Sequence, residues 1–139
     1  MEISPSRTAT VGDAHVRRAL PQRTRRIVGA WCFVDHFGPT PAGGDDGLGV
    51  GPHPHCGLST VTWLVSGTAV HTDSLGSEQP LRPGQLNLMT AGSGIAHAEQ
   101  TPIDQRGQMH GAQLWVAQPE STRRAQRAGA DPRPGPAVA

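Results

Sequence analysis

The sequence predicts an all-β domain, a sandwich or barrel of short strands. Three observations carry this. Apolar and β-branched residues fall in short runs with period-two alternation. The runs are closely spaced, and each stops at a Gly or Pro turn. No stretch within 25–116 has the 3.6-residue periodicity of an amphipathic helix.

Residues 1–24 are polar and Arg-rich with weak apolar periodicity, and they read as an irregular extended arm. Gly29 to Phe37 (GAWCFVDHF) is rich in aromatic and β-branched residues and reads as a strand that stops at Gly38-Pro39. Pro41 to Gly51 carries five Gly and two Asp and reads as a surface loop. Thr60 to Ser66 places Val61, Trp63 and Val65 on one parity, which predicts a strand with that face buried. Gly67 breaks it, and Thr68 to Asp73 returns. Ser74-Leu75-Gly76-Ser77 and Arg82-Pro83-Gly84 read as turns, because Pro presets φ and Gly accepts a positive φ. Gln85 to Thr90 and Ile95 to Glu99 read as strands around Gly92-Ser93-Gly94. The last strand, His110 to Val116, puts Ala112, Leu114 and Val116 on one parity. Trp31, Trp63 and Trp115 read as core residues, one of which could wall an aromatic-binding pocket.

The tail at 117–139 holds six Ala and four Pro with one larger aliphatic, Val138. Such a segment buries too little apolar surface to offset its ordering entropy. Disorder is expected for Asp131 to Ala139, with a short helix around Ser121 to Ala128 conceivable. The organisation is thus an arm at 1–24, one domain at 25–116 and a tail at 117–139.

All twelve basic residues are Arg, and the formal net charge is +1. Four Arg face two acids in the arm and again in the tail, whereas the middle has four Arg against seven acids. No overall positive field points to specific nucleic-acid binding, and the Arg clusters read as solvated faces. No apolar run reaches the roughly 20 residues a membrane span needs, and no apolar leader follows Met1. The expected setting is the cytoplasm, where Cys32 and Cys56, too widely spaced for a CxxC, stay reduced. No phosphate-binding Gly loop or nucleophile elbow is present.

Two short segments carry chemistry: His53-Pro54-His55 and His97-Ala98-Glu99. In a strand, residues i and i+2 share a face, so each pair presents two ligand-type side chains on one side. On the inner wall of a barrel, three imidazoles and one carboxylate would converge. That donor set suits Fe, Mn, Ni, Cu or Zn, and six-coordination would leave two open positions. His36, beside Phe37, reads as a hydrogen-bonded side chain, His71 as exposed on its hairpin, and His110 as a candidate cavity liner. Cys56 points away from the His pair and reads as a packing residue.

The run His53-Pro54-His55-Cys56-Gly57-Leu58 followed by Thr60-Val61-Thr62 resembles the first metal motif of the pirins, a branch of the cupin superfamily. Asp73-Ser74-Leu75-Gly76 resembles their hairpin turn. Pro83-Gly84-Gln85, continuing through Met89 to Glu99, resembles their second motif, and Arg25-Arg26 with Asp35 to Pro39 matches their N-terminal segment. The similarity covers roughly residues 16 to 116. It implies a cupin jelly-roll barrel with metal on His53, His55, His97 and Glu99, most commonly Fe(II). It also implies one of two activities: a quercetin 2,3-dioxygenase acting on a flavonol and dioxygen, or an iron-dependent regulatory module that meets a protein partner.

Two departures stand out. Ser59 replaces a Glu common in the family. In addition, an Arg/Ala/Pro-rich tail stands where the family continues into a second barrel. The expectation is a single-barrel or truncated form, with one barrel wall open to self-association and, in the truncated case, little activity. In the dioxygenase reading, Glu99 is both ligand and general base for the flavonol hydroxyl.

Overall fold

The computed structural model describes residues 4–12, 14–42, 49–125 and 128–134. Eleven strands are described: β1 (Arg7–Val11), β2 (Ala14–Leu20), β3 (Trp31–Pro41), β4 (Gly49–His55), β5 (Leu58–Ser66), β6 (Ala69–Asp73), β7 (Glu78–Leu81), β8 (Gln85–Thr90), β9 (Ile95–Gln100), β10 (Gln108–Ala117) and β11 (Ala128–Pro134). They form two antiparallel sheets, ordered β1-β2-β3-β10-β5-β8-β11 and β4-β9-β6-β7. The expected jelly-roll barrel is present, and no helix among the described residues is long and apolar enough to cross a membrane.

Three expectations are corrected. The arm is not irregular. β1 and β2 form a hairpin whose second strand pairs with β3, Val16 opposite Phe37 and Arg18 opposite Asp35. Val16 and Leu20 are buried, and Arg18 on the same parity is neutralised by a bidentate bond to Asp35 at 2.8 and 2.6 Å. An inward arginine hid the alternation, so Arg18 is not part of a solvated face. The tail is not disordered over 128–134 either, because β11 pairs with the free edge of β8. Edge pairing uses backbone groups and needs no apolar side chains, and Pro132 and Pro134 are tolerated on an outermost strand. Residues 120–124 form successive turns in place of a helix; residues 126–127 and 135–139 lie outside the described residues.

The third correction concerns which face is inside. On β5, Thr60, Thr62 and Leu64 are buried on one parity; on the other, Val61 is buried but Val65 is 55% exposed. On β10, Gln113 and Trp115 face the interior cavity. Register aligns Val34, Leu114, Val61 and Leu88 side by side on the opposite face. The apolar parity is therefore only partly buried and is not the face toward the cavity, because that face carries polar chemistry. Trp31 is 43% exposed and is not a core residue. Of the loop read between Pro41 and Gly51, residues 43–48 lie outside the described residues, and β4 already begins at Gly49.

The core explains this placement. One apolar cluster joins Val16, Phe37, Ala42, Leu64, Ala69, Leu81 and Met109, and a smaller one joins Met89, Ala91 and Ile95. Two positions along from the first cluster, each inner strand turns polar: Leu64 gives way to Thr62, Ala69 to His71 and Phe37 to Asp35. The site is built in this polar layer. Gly111 lets β10 approach its neighbours, since a Cβ there would stand 2.5 Å from the Trp63 carbonyl oxygen and 2.6 Å from Phe37 Cζ. Gly111→Ala is expected to lower stability by about 1–3 kcal/mol, read as a fall in the urea midpoint. An unchanged midpoint would show that the strands have slack there.

Candidate metal centre

The site lies on the inner face of the smaller sheet, where β9 is flanked by β4 and β6. Register places His53 opposite His97 across β4–β9, and His71 opposite Glu99 with Asp73 opposite His97 across β6–β9. Each strand contributes a pair two residues apart, so the three strands aim six polar side chains at one layer. The ring centroids of His53, His55 and His97 lie 4.5–5.0 Å apart. One nitrogen from each of the three lies within 4.8 Å of the others, and His71, His97 and Glu99 form a second such group.

His55, His97, His71 and Glu99 are buried, and His53 is half-buried. His53 Nδ1 lies 2.8 Å from the Gly51 carbonyl, to which it donates, leaving its Nε2 as the free lone pair. Nε2 of both His55 and His97 is buried without a hydrogen-bond partner among the described residues. A buried polar atom without a partner costs about 1–3 kcal/mol, and a cation among these nitrogens would remove that cost. Burial pushes the pKa of His55 and of His97 down to about 4, so both rings are neutral at neutral pH, as ligation requires.

Glu99 accepts a hydrogen bond from the Thr62 hydroxyl at 2.6 Å. Burial would raise its pKa, but the adjacent His71 imidazole and the Thr62 hydroxyl outweigh that and hold it below the usual carboxylate value. Burial would lower the pKa of His71, but the facing carboxylates of Glu99 and Asp73 outweigh that and raise it. Three imidazoles and an ionised carboxylate fit a borderline divalent metal.

An open-mouthed cavity of about 60 Å³ reaches this cluster. His53, His97 and Glu99 meet it from one side, and Phe33, Phe37 and Trp115 from the other. Trp115 thus walls the pocket, stacking on Phe33 at 4.0 Å and meeting the His55 ring edge-on at 4.8 Å.

His53, His55 and His97 lie together, and Glu99 joins His97 in the second group with His71. His71 was misplaced as exposed; it is 2% exposed and sits beside His97 and Glu99. The signal was available, since His71-Thr72-Asp73 repeats the two-residue spacing of the other pairs. His110 does not line this cavity; its Nε2 lies 2.8 Å from Nε2 of His36, whose Nδ1 meets Arg17. Cys56 is exposed, so it is not the packing residue expected, and it is outside the candidate ligand groups.

The Pirin family model matches residues 13–116, so the chain belongs to the pirin family. A Pseudomonas aeruginosa protein named "Putative quercetin 2,3-dioxygenase" is 54% identical over 119 residues, covering 85% of this chain and 38% of that protein. Human Pirin is 36% identical over 116 residues, covering 82% of this chain and 37% of its own. The solved structure of a quercetin 2,3-dioxygenase from Acinetobacter baumannii superposes with a TM-score of 0.88 at 51% identity, covering 94% of this chain and 44% of that one. The chain therefore spans well under half the length of these relatives.

The lowered His55 pKa makes a signed prediction. Below pH 6.5 the unfolded chain protonates His55, while the folded protein resists until about pH 4, so this contribution is full above 6.5 and is lost as pH falls toward 4. In the metal-free protein, the urea midpoint of wild type is expected to drop more than that of His55→Phe between about pH 7 and pH 5. The difference should amount to about 1–2 kcal/mol. Parallel curves would refute the burial-driven shift.

Proposed function

We propose that this pirin-family chain holds one divalent metal, iron(II), through His53, His55, His97 and Glu99. On this reading it supports oxygenation of a flavonol by dioxygen, as a quercetin 2,3-dioxygenase-type oxidoreductase. The observation that carries the proposal is the pair of buried, unpartnered Nε2 atoms of His55 and His97 beside an ionised carboxylate at an aromatic-walled cavity. The names of the relatives supply the substrate class. A cytoplasmic setting, which keeps the free Cys32 and Cys56 reduced, completes it.

When bound, the metal supplies Lewis acidity and an open position at which substrate and dioxygen are brought together. The chain does the rest. His53, His55 and His97 offer Nε2, and Glu99 offers a carboxylate oxygen held in place by Thr62. The cavity of about 60 Å³ beside the donors is far smaller than a drug-sized aromatic ligand needs. The fused rings of a flavonol therefore extend through the mouth, with one edge against the Phe33–Trp115 stack. Glu99 is placed to accept the flavonol hydroxyl proton as the ring enters; its low pKa makes it a ligand first and a weak base second.

Elemental analysis after iron(II) reconstitution is expected to give about one metal per chain, and close to none in a His53→Ala/His97→Ala double variant. Oxygen uptake with quercetin should follow metal content. Metal binding without oxygen uptake would remove the enzyme reading and leave a metal-holding module. No metal in the reconstituted wild type would remove both.

A further inference from the structure

We propose that His71 and Asp73 are positioning residues that fix which nitrogen of His97 is free to bind metal. This rests on the metal-holding reading above. Asp73 Oδ1 already accepts the backbone N–H groups of Leu75 at 2.8 Å and Ser77 at 3.2 Å. Its Oδ2 lies 3.2 Å from His71 Nε2. An ionised carboxylate only accepts, so the neutral His71 ring carries its proton on Nε2 and presents a lone pair at Nδ1, whereas the cationic ring would donate from both nitrogens. That Nδ1 lies 3.3 Å from His97 Nδ1 and 3.8 Å from Glu99 Oε1, so its hydrogen-bond partner is His97. His97 must then donate from Nδ1, which leaves the lone pair on Nε2. Nε2 is the buried, unpartnered atom in the cluster with His53 and His55.

The donor and acceptor roles of the ring nitrogens along Asp73–His71–His97 are mutually consistent in this arrangement. A dication on His97 also disfavours a second positive charge on His71, which keeps the neutral form in the loaded site. The pair is sealed from water. The side chain of His71 is 2% exposed and that of Asp73 is 0% exposed. β11 closes over it, since a Cβ on Gly129 would stand 2.6 Å from Asp73 Oδ2. Outer partners of this kind raise ligand basicity and hold the ring in orientation.

Asp73→Asn tests the idea because it is nearly isosteric and reverses the chain of donors. With its single oxygen kept on the Leu75 and Ser77 amides, the Asn NH2 faces His71 Nε2. His71 must then accept there and carry its proton on Nδ1. That proton forces His97 to hold its own on Nε2, where metal would bind. The experiment is Zn(II) affinity by competition with a chromogenic chelator, together with long-range proton–nitrogen spectra of the histidine rings in the metal-free chain, taken at a pH high enough that His71 itself reads as neutral.

The expected result is Nδ1-protonated His97 in wild type, Nε2-protonated His97 in Asp73→Asn, and Zn(II) affinity lowered about 10–100-fold with little change in thermal midpoint. If Asp73→Asn does not fold, His71→Phe, which removes the acceptor and keeps the bulk, should give the same fall in affinity. Wild-type affinity within about twofold in the folded variant, or Nε2-protonated His97 in the wild type, would overturn the proposal. A wild type that binds no Zn(II) would sink the metal-holding reading instead, and the ring spectra would still decide the tautomer.

Discussion

Burying three imidazoles and a carboxylate inside a small barrel is the constraint on which the rest of this structure turns. Each polar atom hidden from water without a partner costs about 1–3 kcal/mol, a large fraction of the stability of a small domain. The fold meets much of this by giving charged groups on the inner polar layer specific neighbours. Arg18 meets Asp35, Thr62 meets Glu99, and Asp73 meets His71. Within the histidine cluster the unmet atoms are the two Nε2 nitrogens of His55 and His97. Two buried lone pairs beside a held carboxylate are the feature on which the metal-holding proposal rests.

Register achieves this with little machinery. β9 carries His97 and Glu99 on one parity, and pairing it with β4 and β6 brings His53 opposite His97 and His71 opposite Glu99. A one-residue slip of either neighbour would turn its polar pair outward and bring its intervening residues in. The apolar clusters above and below the site, with Leu64, Ala69 and Met109 at one level and Met89 and Ile95 at another, hold the strands against such slippage. The weakest donors to the core are thus fixed by the strongest.

The ligand pairs were legible because a strand's period of two is a rigid rule, and His53/His55 and His97/Glu99 obey it. The strand positions of β3, β5, β6, β8, β9 and β10 were legible for the same reason. What failed was the assumption that apolar parity faces inward. On β5 the apolar set is Val61, Trp63 and Val65, yet Thr60 and Thr62 face inward, where Thr62 hydrogen-bonds the buried Glu99 carboxylate. His71 was missed because its partners, Glu99 and Asp73, are supplied by the fold or hidden in a turn motif. β2 and β11 were missed because strand pairing is a property of an available edge, and composition says little about it.

The N-terminal hairpin shows how far the site reaches beyond its ligands. Val11, Ala14 and Val16 line the cavity, so the hairpin is one of its walls. It is pinned there by Arg18, whose guanidinium holds the buried Asp35 bidentately and lies 4.6 Å from the Phe33 ring. Phe33 stacks on Trp115, and Trp115 meets His55. One continuous set of contacts therefore runs from the hairpin to a ligand ring. The same ion pair has an electrostatic consequence: Asp35 also faces the cavity, and Arg18 cancels its charge. Glu99 is then the carboxylate lining the cavity whose charge is not matched by an arginine, which directs a cation to the imidazoles beside Glu99 and away from the aromatic wall.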